Sequence, residues 1–289
     1  MKLIEIGDGC KAIKVPSKYF SEWEGEHSVV LYTEQENEPI IRISVISTES
    51  DDARSNDQPY QTVIEKGLNA GYEVKDYGDR SYFCYRKDSL EEGLAICYYE
   101  IGVKGNFVIL SVTTSLEEAD SIMSIHSEVE QMILTIEELS LDVTNIFEPK
   151  YSDIITINNI VGEVLKIDED EIDEFHNSYT TLTLLQDVLD QKGYLSNQES
   201  ILSSLGFVFG DFIQFINNDY RWVVVRDNYG RDLALQYKNY TITLFPITMI
   251  LKRIEAGEEV VISALINSIF SEIENIANSG NYKELDYNY

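Results

Sequence analysis

An α+β fold in two domains is what this sequence predicts, and three observations lead there. Period-two runs of β-branched and aromatic residues crowd the first 115 positions, whereas three- and four-residue apolar spacing dominates later. The chain has 289 residues, more than the roughly 100–200 of a single domain. The third observation is the shortness of the turn-forming stretches between the early runs, which favours antiparallel hairpins. The expected first domain, residues 1–140, is an antiparallel sheet covered by helices. The second, 154–280, is a mostly helical module with a small antiparallel hairpin sheet, and 281–289 form a frayed tail.

In the first domain the runs at 10–15, 28–33, 39–48, 82–87, 93–103 and 106–114 read as strands. "EQENEP", "KDSLEE" and "VKGN" supply turns between them. A short helix is predicted over 59–72, because Pro59 suits a first turn and Gly71 an end. A longer helix is predicted over 116–139, with Ala119, Ile122, Met123, His126, Val129, Met132 and Ile133 on its buried stripe. Glu117, Glu118, Glu128 and Glu130 are expected to face water. Residues 141–153 read as a linker.

The second half changes period. A helix over 168–193 gathers acid at its start and ends on Lys192–Gly193, as the helix dipole prefers. Another over 196–218 begins at Ser196 with Glu199 three residues on, and its Gly206 and Gly210 leave a smooth patch for close approach. "RWVVVRDNYGRDLALQY" reads as a hairpin, with strands near 220–226 and 232–237 around an Asp-Asn-Tyr-Gly loop. Its apolar centre implies cover on both faces, and Asp227 and Asp232 are expected to pair with Arg226 and Arg231 across the strands. A third strand, "TITLFP", and helices at 247–257 and 260–280 complete the domain.

Charge narrows the function classes. With 51 acidic against 22 basic residues the formal net charge is −29, spread over both halves. Such a surface disfavours nucleic acid and anionic membranes and attracts a basic protein. Nineteen tyrosines against two tryptophans suit strands and protein interfaces. Cys10, Cys84 and Cys97 are odd in number and form no CxxC, so neither a zinc cage nor a redox motif is indicated. Cys84 and Cys97 read as small buried residues. No apolar leader or span is read, so a cytoplasmic protein is expected.

Motifs for chemistry are missing. His27, His126 and His176 are scattered, and no phosphate loop, dinucleotide fingerprint or nucleophile elbow occurs. No catalytic residue, cofactor or metal ligand is therefore assigned.

Two resemblances extend this reading. Gly206-x-x-x-Gly210, Trp222-Val-Val-Val near Asp227 and Gly230, Asp232-Leu-Ala-Leu, and Phe245-Pro246 leading to Lys252-Arg253-Ile254-Glu255 resemble the bacterial domain-of-unknown-function 3806 family over roughly 165–275. That resemblance implies a compact α+β module without an assigned activity. "KAIKVPSKYF", the strand pairs and the long helix resemble the PsbP-like α/β sandwich, which occurs in secretion-associated chaperones and immunity proteins.

The expected function is that of a non-catalytic bacterial immunity protein, occluding a cognate secreted toxin with an acidic, Tyr-rich surface. Asp168, Glu169, Asp170, Glu171 and Asp173 would form one contact patch, and the loop bearing Glu49, Asp51, Asp52 and Asp57 a second. One alternative is a secretion chaperone shielding apolar segments of an exported effector in a groove on the first domain. A carboxylate-based hydrolase, needing two acids in one pocket, is the other.

Overall fold

β-Branched and aromatic runs that cannot hide both faces in a hairpin must join a larger sheet, and here they do. The computed structural model describes residues 1–7, 9, 11–25, 27–35, 38–47, 58–140, 142–165, 180–190 and 199–285. The fold is mixed α+β with large antiparallel sheets. The chain forms two compact units, 1–139 and 140–288.

The first unit contains strands β1 (Lys2–Ile6), β2 (Lys11–Val15), β3 (Phe20–Trp23), β4 (Ser28–Tyr32) and β5 (Ile40–Ser47) before helix α1 (Gln58–Ala70). Strands β6 (Val74–Asp76), β7 (Arg80–Ser89), β8 (Leu94–Val103) and β9 (Asn106–Ser115) follow, then helices α2 (Ser121–Ser124) and α3 (His126–Leu134) and strand β10 (Glu137–Glu138). Seven strands form one antiparallel sheet in the order β3-β4-β5-β9-β8-β7-β6. β1, β2 and β10 make a second, three-stranded sheet. One face of the large sheet carries Val29, Leu31, Ile41, Ile43, Tyr99, Ile101, Leu110 and Val112, all fully buried in a core shared with Ile4, Ile13, Val129 and Met132.

The predicted long helix is instead two short ones. Ser124 Oγ donates to the Ser121 carbonyl at 2.6 Å, competing for the backbone acceptors that a continuous helix would use. Thr135 ends α3: its hydroxyl donates to the Met132 carbonyl at 2.7 Å and accepts from the Lys14 amide at 2.8 Å. The chain then turns into β10 on β2. Arg80 completes that end, donating from Nη1 to the carbonyls of Ile133, Leu134 and Ile136 at 3.0, 2.7 and 3.0 Å. A guanidinium on these carbonyls suits the negative end of the helix, where the Ile133 carbonyl also accepts from the Ile136 amide at 3.2 Å.

The second unit holds β11 (Asn145–Phe147), α4 (Tyr151–Leu165), α5 (Thr180–Asp190) and α6 (Glu199–Ile216). Next come β12 (Tyr220–Asp227), β13 (Gly230–Tyr237), β14 (Thr243–Leu244), α7 (Pro246–Glu255) and α8 (Ile262–Ser279). Stretch 141–153, expected as a linker, contributes β11 to the four-stranded sheet β11-β12-β13-β14 and opens α4. Ile146 and Phe147 are buried there, which explains why the stretch is no spacer. The tail also differs. Thr241 and Lys283 exchange backbone and side-chain hydrogen bonds, the Leu285 amide donates to the Asn239 carbonyl at 2.8 Å, and Tyr282 lies 4.1 Å from the Tyr240 ring.

Both faces of the hairpin are covered. Trp222 and Leu235 join the helical core, while Val223, Val225 and Ala234 pack with Ile146. The hairpin loop is tighter than expected, since Asp227 pairs with Gly230. Arg231 forms a two-pronged pair with Asp153 on α4, at 3.0 and 2.7 Å. The cause is register: Arg226 lies directly opposite Arg231, where like charges repel. The smooth patch on α6 is used as its glycines allow. A Cβ on Gly206 would sit 2.4 Å from the Ile247 Cα, and one on Gly210 would meet the Trp222 ring at 2.6 Å.

Candidate functional site

Alternation along the strands gives the seven-stranded sheet a second face, and register arranges it in rows. One row runs Glu22, Val30, Arg42, Ser111, Tyr98, Tyr85 across six strands. Beside it lie Ile40, Thr113, Ile96 and Lys87 on one flank, and Ser28, Ser44, Ile109, Glu100 and Phe83 on the other. Helix α1 packs on β6, β7 and β8 and reaches β9. There Gly102 admits the Pro59 carbonyl, and the Ser81 hydroxyl donates to the Tyr60 carbonyl at 2.9 Å. Toward β3 the face opens: Phe20, Ile40 and Ile46 are 40%, 46% and 51% exposed.

The aromatic side chains on this face hold one another. Tyr72 stacks on Phe83 and Tyr85 at 5.4 and 5.5 Å, Tyr85 stacks on Tyr98 at 5.4 Å, and Phe20 stacks on Tyr32 at 5.9 Å. Such stacking fixes rotamers before any partner arrives. Polar groups are tied down as well. Tyr85 donates to Glu100 at 3.1 Å, and Glu100 also pairs with Lys66. Burial, reinforced by Glu100, pushes the Tyr85 phenol up to about 12. Arg42 is forked onto Glu24, which holds that carboxyl below the usual carboxylate range.

On the core-facing side, two acids expected in water serve tyrosines. Glu128 accepts from Tyr19 and Glu130 from Tyr82, each at 2.6 Å. His126 hydrogen-bonds Tyr99 through Nδ1 at 2.6 Å and approaches Glu130 at 3.3 Å.

The second unit contains a cavity of about 600 Å³. Ile242, Leu244, Ile269 and Ile273 give it an apolar floor, and Asp227, Asp232, Glu272, Lys252 and Arg253 line it with both signs of charge. This mixed lining suits an apolar group carrying a polar end. Among the described residues no group of three His, Cys, Asp or Glu side chains could hold a metal ion.

The acidic patches read from sequence, Asp168, Glu169, Asp170, Glu171 and Asp173 together with Glu49, Asp51, Asp52 and Asp57, lie outside the described residues. The open-face residues were not singled out by sequence reasoning. Their signal was same-parity aromatics in β7 and β8, but the assembling register spans strands more than sixty residues apart, such as β4 and β8.

With this geometry in view, the likenesses to known proteins can be placed. Residues 181–265 match the model of the Domain of unknown function (DUF3806). The C-terminal resemblance therefore rests on that region. A crystal structure of a protein from Bacteroides thetaiotaomicron VPI-5482 is 17% identical, with a TM-score of 0.68 over 94% of this chain and 98% of that one. It is a likeness of fold alone. The solution structure of cyanobacterial PsbP (CyanoP) from Synechocystis sp. PCC 6803 is 13% identical over 48% of this chain and 93% of that chain, with a TM-score of 0.24. At that score it carries no argument. No curated protein matches the chain. Among the described residues no helix is long and apolar enough to cross a membrane.

Proposed function

We propose that this chain is a non-catalytic bacterial binding protein, an immunity protein that sequesters a cognate secreted toxin in the cytoplasm. The observation that carries the reading is the open half of the seven-stranded sheet, with Phe20 and Ile40 exposed on β3 and β5 and half-buried Tyr98 on β8 at its border. Rigid aromatic and aliphatic groups on strands form an interface with little loss of side-chain freedom. A net charge of −29 steers a basic partner toward this exterior and speeds encounter more than it slows release. In this reading Asp168 to Asp173 and the Glu49–Asp57 loop add peripheral attraction, and the aromatic face supplies the anchors.

The test is a pull-down from the native cell with the full chain and with a Phe20→Ser/Ile40→Ser/Tyr98→Ser variant of unchanged melting temperature. The wild type is expected to capture a basic protein and inhibit it at equimolar ratio, with an on-rate that falls steeply with salt. The variant should bind at least ~100-fold more weakly, since loss of two or three anchors removes over about 2.7 kcal/mol. Equal capture by both proteins, or an acidic partner, sinks the reading.

A second reading is favoured by the cavity of about 600 Å³ in the second unit. A secretion chaperone would seat an apolar side chain of an exported effector over Ile242 and Ile273, on a different unit from the groove expected. Ile273→Glu should then abolish binding of an apolar effector peptide while the Phe20/Ile40/Tyr98 variant retains it. The opposite pattern would leave the immunity reading standing.

A further inference from the structure

β7 and β8 bring two thiols together from 13 positions apart in sequence (84 and 97). Cys84 lies opposite Tyr99 and Arg86 opposite Cys97, so the two cysteines are diagonal neighbours on the core-facing side of the sheet. Both are free. Exposure grows along β7: Tyr82 is buried, Cys84 half-exposed and Arg86 exposed. Cys97 is buried. Cys84 is therefore the more accessible of the two residues.

Their surroundings differ in the same sense. The hydrogen bond from Cys97 holds the Cys84 thiol down to about 7, against burial and the nearby charges of Glu130 and Glu73, with Lys75 assisting. The same bond, together with burial, pushes the Cys97 thiol up, although the Tyr99 hydroxyl and Arg86 oppose it. A half-exposed cysteine whose thiol is held below its ordinary range is the better nucleophile, and a protonated thiol at the diagonal position can resolve what it forms.

We propose that Cys84 and Cys97 form a thiol–disulfide exchange site that reacts with small-molecule disulfides. The Cys84 thiolate attacks one sulfur of the disulfide, forming a mixed disulfide and expelling one thiolate. Cys97 then attacks the Cys84 sulfur; the Cys84–Cys97 bond forms, the bond to the small molecule breaks, and the second thiolate leaves. The Cys84 and Cys97 protons end on the two released thiols. The pair loses two electrons and the small disulfide gains them. Diagonal positions on neighbouring strands have Cα atoms roughly 7–8 Å apart, just beyond the usual disulfide range. The bridge must draw the strands together, and a strained bridge is readily reduced again.

The test uses the full chain carrying Cys10→Ser, incubated with oxidised glutathione, acid-quenched and mapped by mass spectrometry. The expected product has lost two hydrogens, yields a Cys84–Cys97 cross-linked peptide and reverts with dithiothreitol. Cys97→Ala should instead trap a stable glutathione adduct on Cys84, while Cys84→Ala should leave Cys97 at least ~10-fold slower to react. The alkylation rate of Cys84 should rise through a midpoint near 7 and move to higher pH in Cys97→Ala. A persistent adduct on Cys84 with Cys97 present, preferential attack at Cys97, or no reaction would each overturn the proposal. The wild-type measurements decide the matter alone if either variant fails to fold, as judged by circular dichroism.

Discussion

The sheets of the two units treat their second faces in opposite ways. In β8 buried and half-exposed residues alternate over most of the strand, whereas β12 buries Trp222, Val223, Val224 and Val225 in succession. Alternation marks a sheet with one free face; a continuous apolar run marks one closed on both sides. The four-stranded sheet spends its apolar residues on two cores, one with the helices and one around Ile146. Its seven-stranded counterpart buries one face in the core of the first unit and leaves Phe20, Ile40 and Ile46 exposed on the other.

Substitutions can break or sharpen that contrast. The largest effect is expected from Phe209→Ala, which empties a fully buried ring position in α6. It should cost about 3–5 kcal/mol in urea unfolding of the full chain. Ile40→Ala, at a position 46% exposed on the open face, should cost under ~1 kcal/mol; a loss matching that of Phe209→Ala would mean the face is closed.

Next comes Arg80→Ala, which strips three carbonyls at the end of α3 of their charged donor. A loss of about 1.5–3 kcal/mol is expected. Arg80→Lys should restore only part of it, because an ammonium cannot reproduce the planar fork. Full rescue by lysine, measured by thermal unfolding, would refute the capping role.

The smallest effect concerns acid. The hydrogen bond from Arg80 holds the Asp79 carboxyl below its ordinary range. A lowered folded-state pKa contributes stability above the unfolded value of about 3.9, and that contribution disappears as pH falls through the folded value. Asp79 is well exposed, so solvent screening keeps the contribution slight. Asp79→Asn should flatten the stability profile slightly below about pH 4 while leaving its shape at pH 6–8 intact. A change of shape in the neutral range would point to a different partner.

Much of this fold was legible in local pattern. The strands at β4, β5, β8 and β9, the hairpin, and helices α1, α6, α7 and α8 follow from period and capping residues alone. β1, β3 and β6 were missed, since strands of three to five residues with Lys, Glu or Asp among them carry little periodic signal. β11 hid in a stretch with Pro149 and few apolar residues, and only pairing with β12 makes it a strand. The open face was illegible for another reason. Tyr85, Tyr98, Arg42 and Val30 each read locally as ordinary strand residues, and only long-range register makes them one surface. Glu128 and Glu130 went astray because nothing local announces a buried tyrosine hydroxyl from a distant part of the chain.

The described end of the chain has a practical consequence for anyone shortening it. Residues 281–285 lie along the turn between β13 and β14, with Tyr282 over Tyr240 and Leu285 bonded to Asn239. Cutting after Gly280 would strip that margin, leaving amides and carbonyls unmated beside a naked ring. Trimmed protein should then self-associate, and a purification tag is better placed beyond this stretch than spliced in ahead of it.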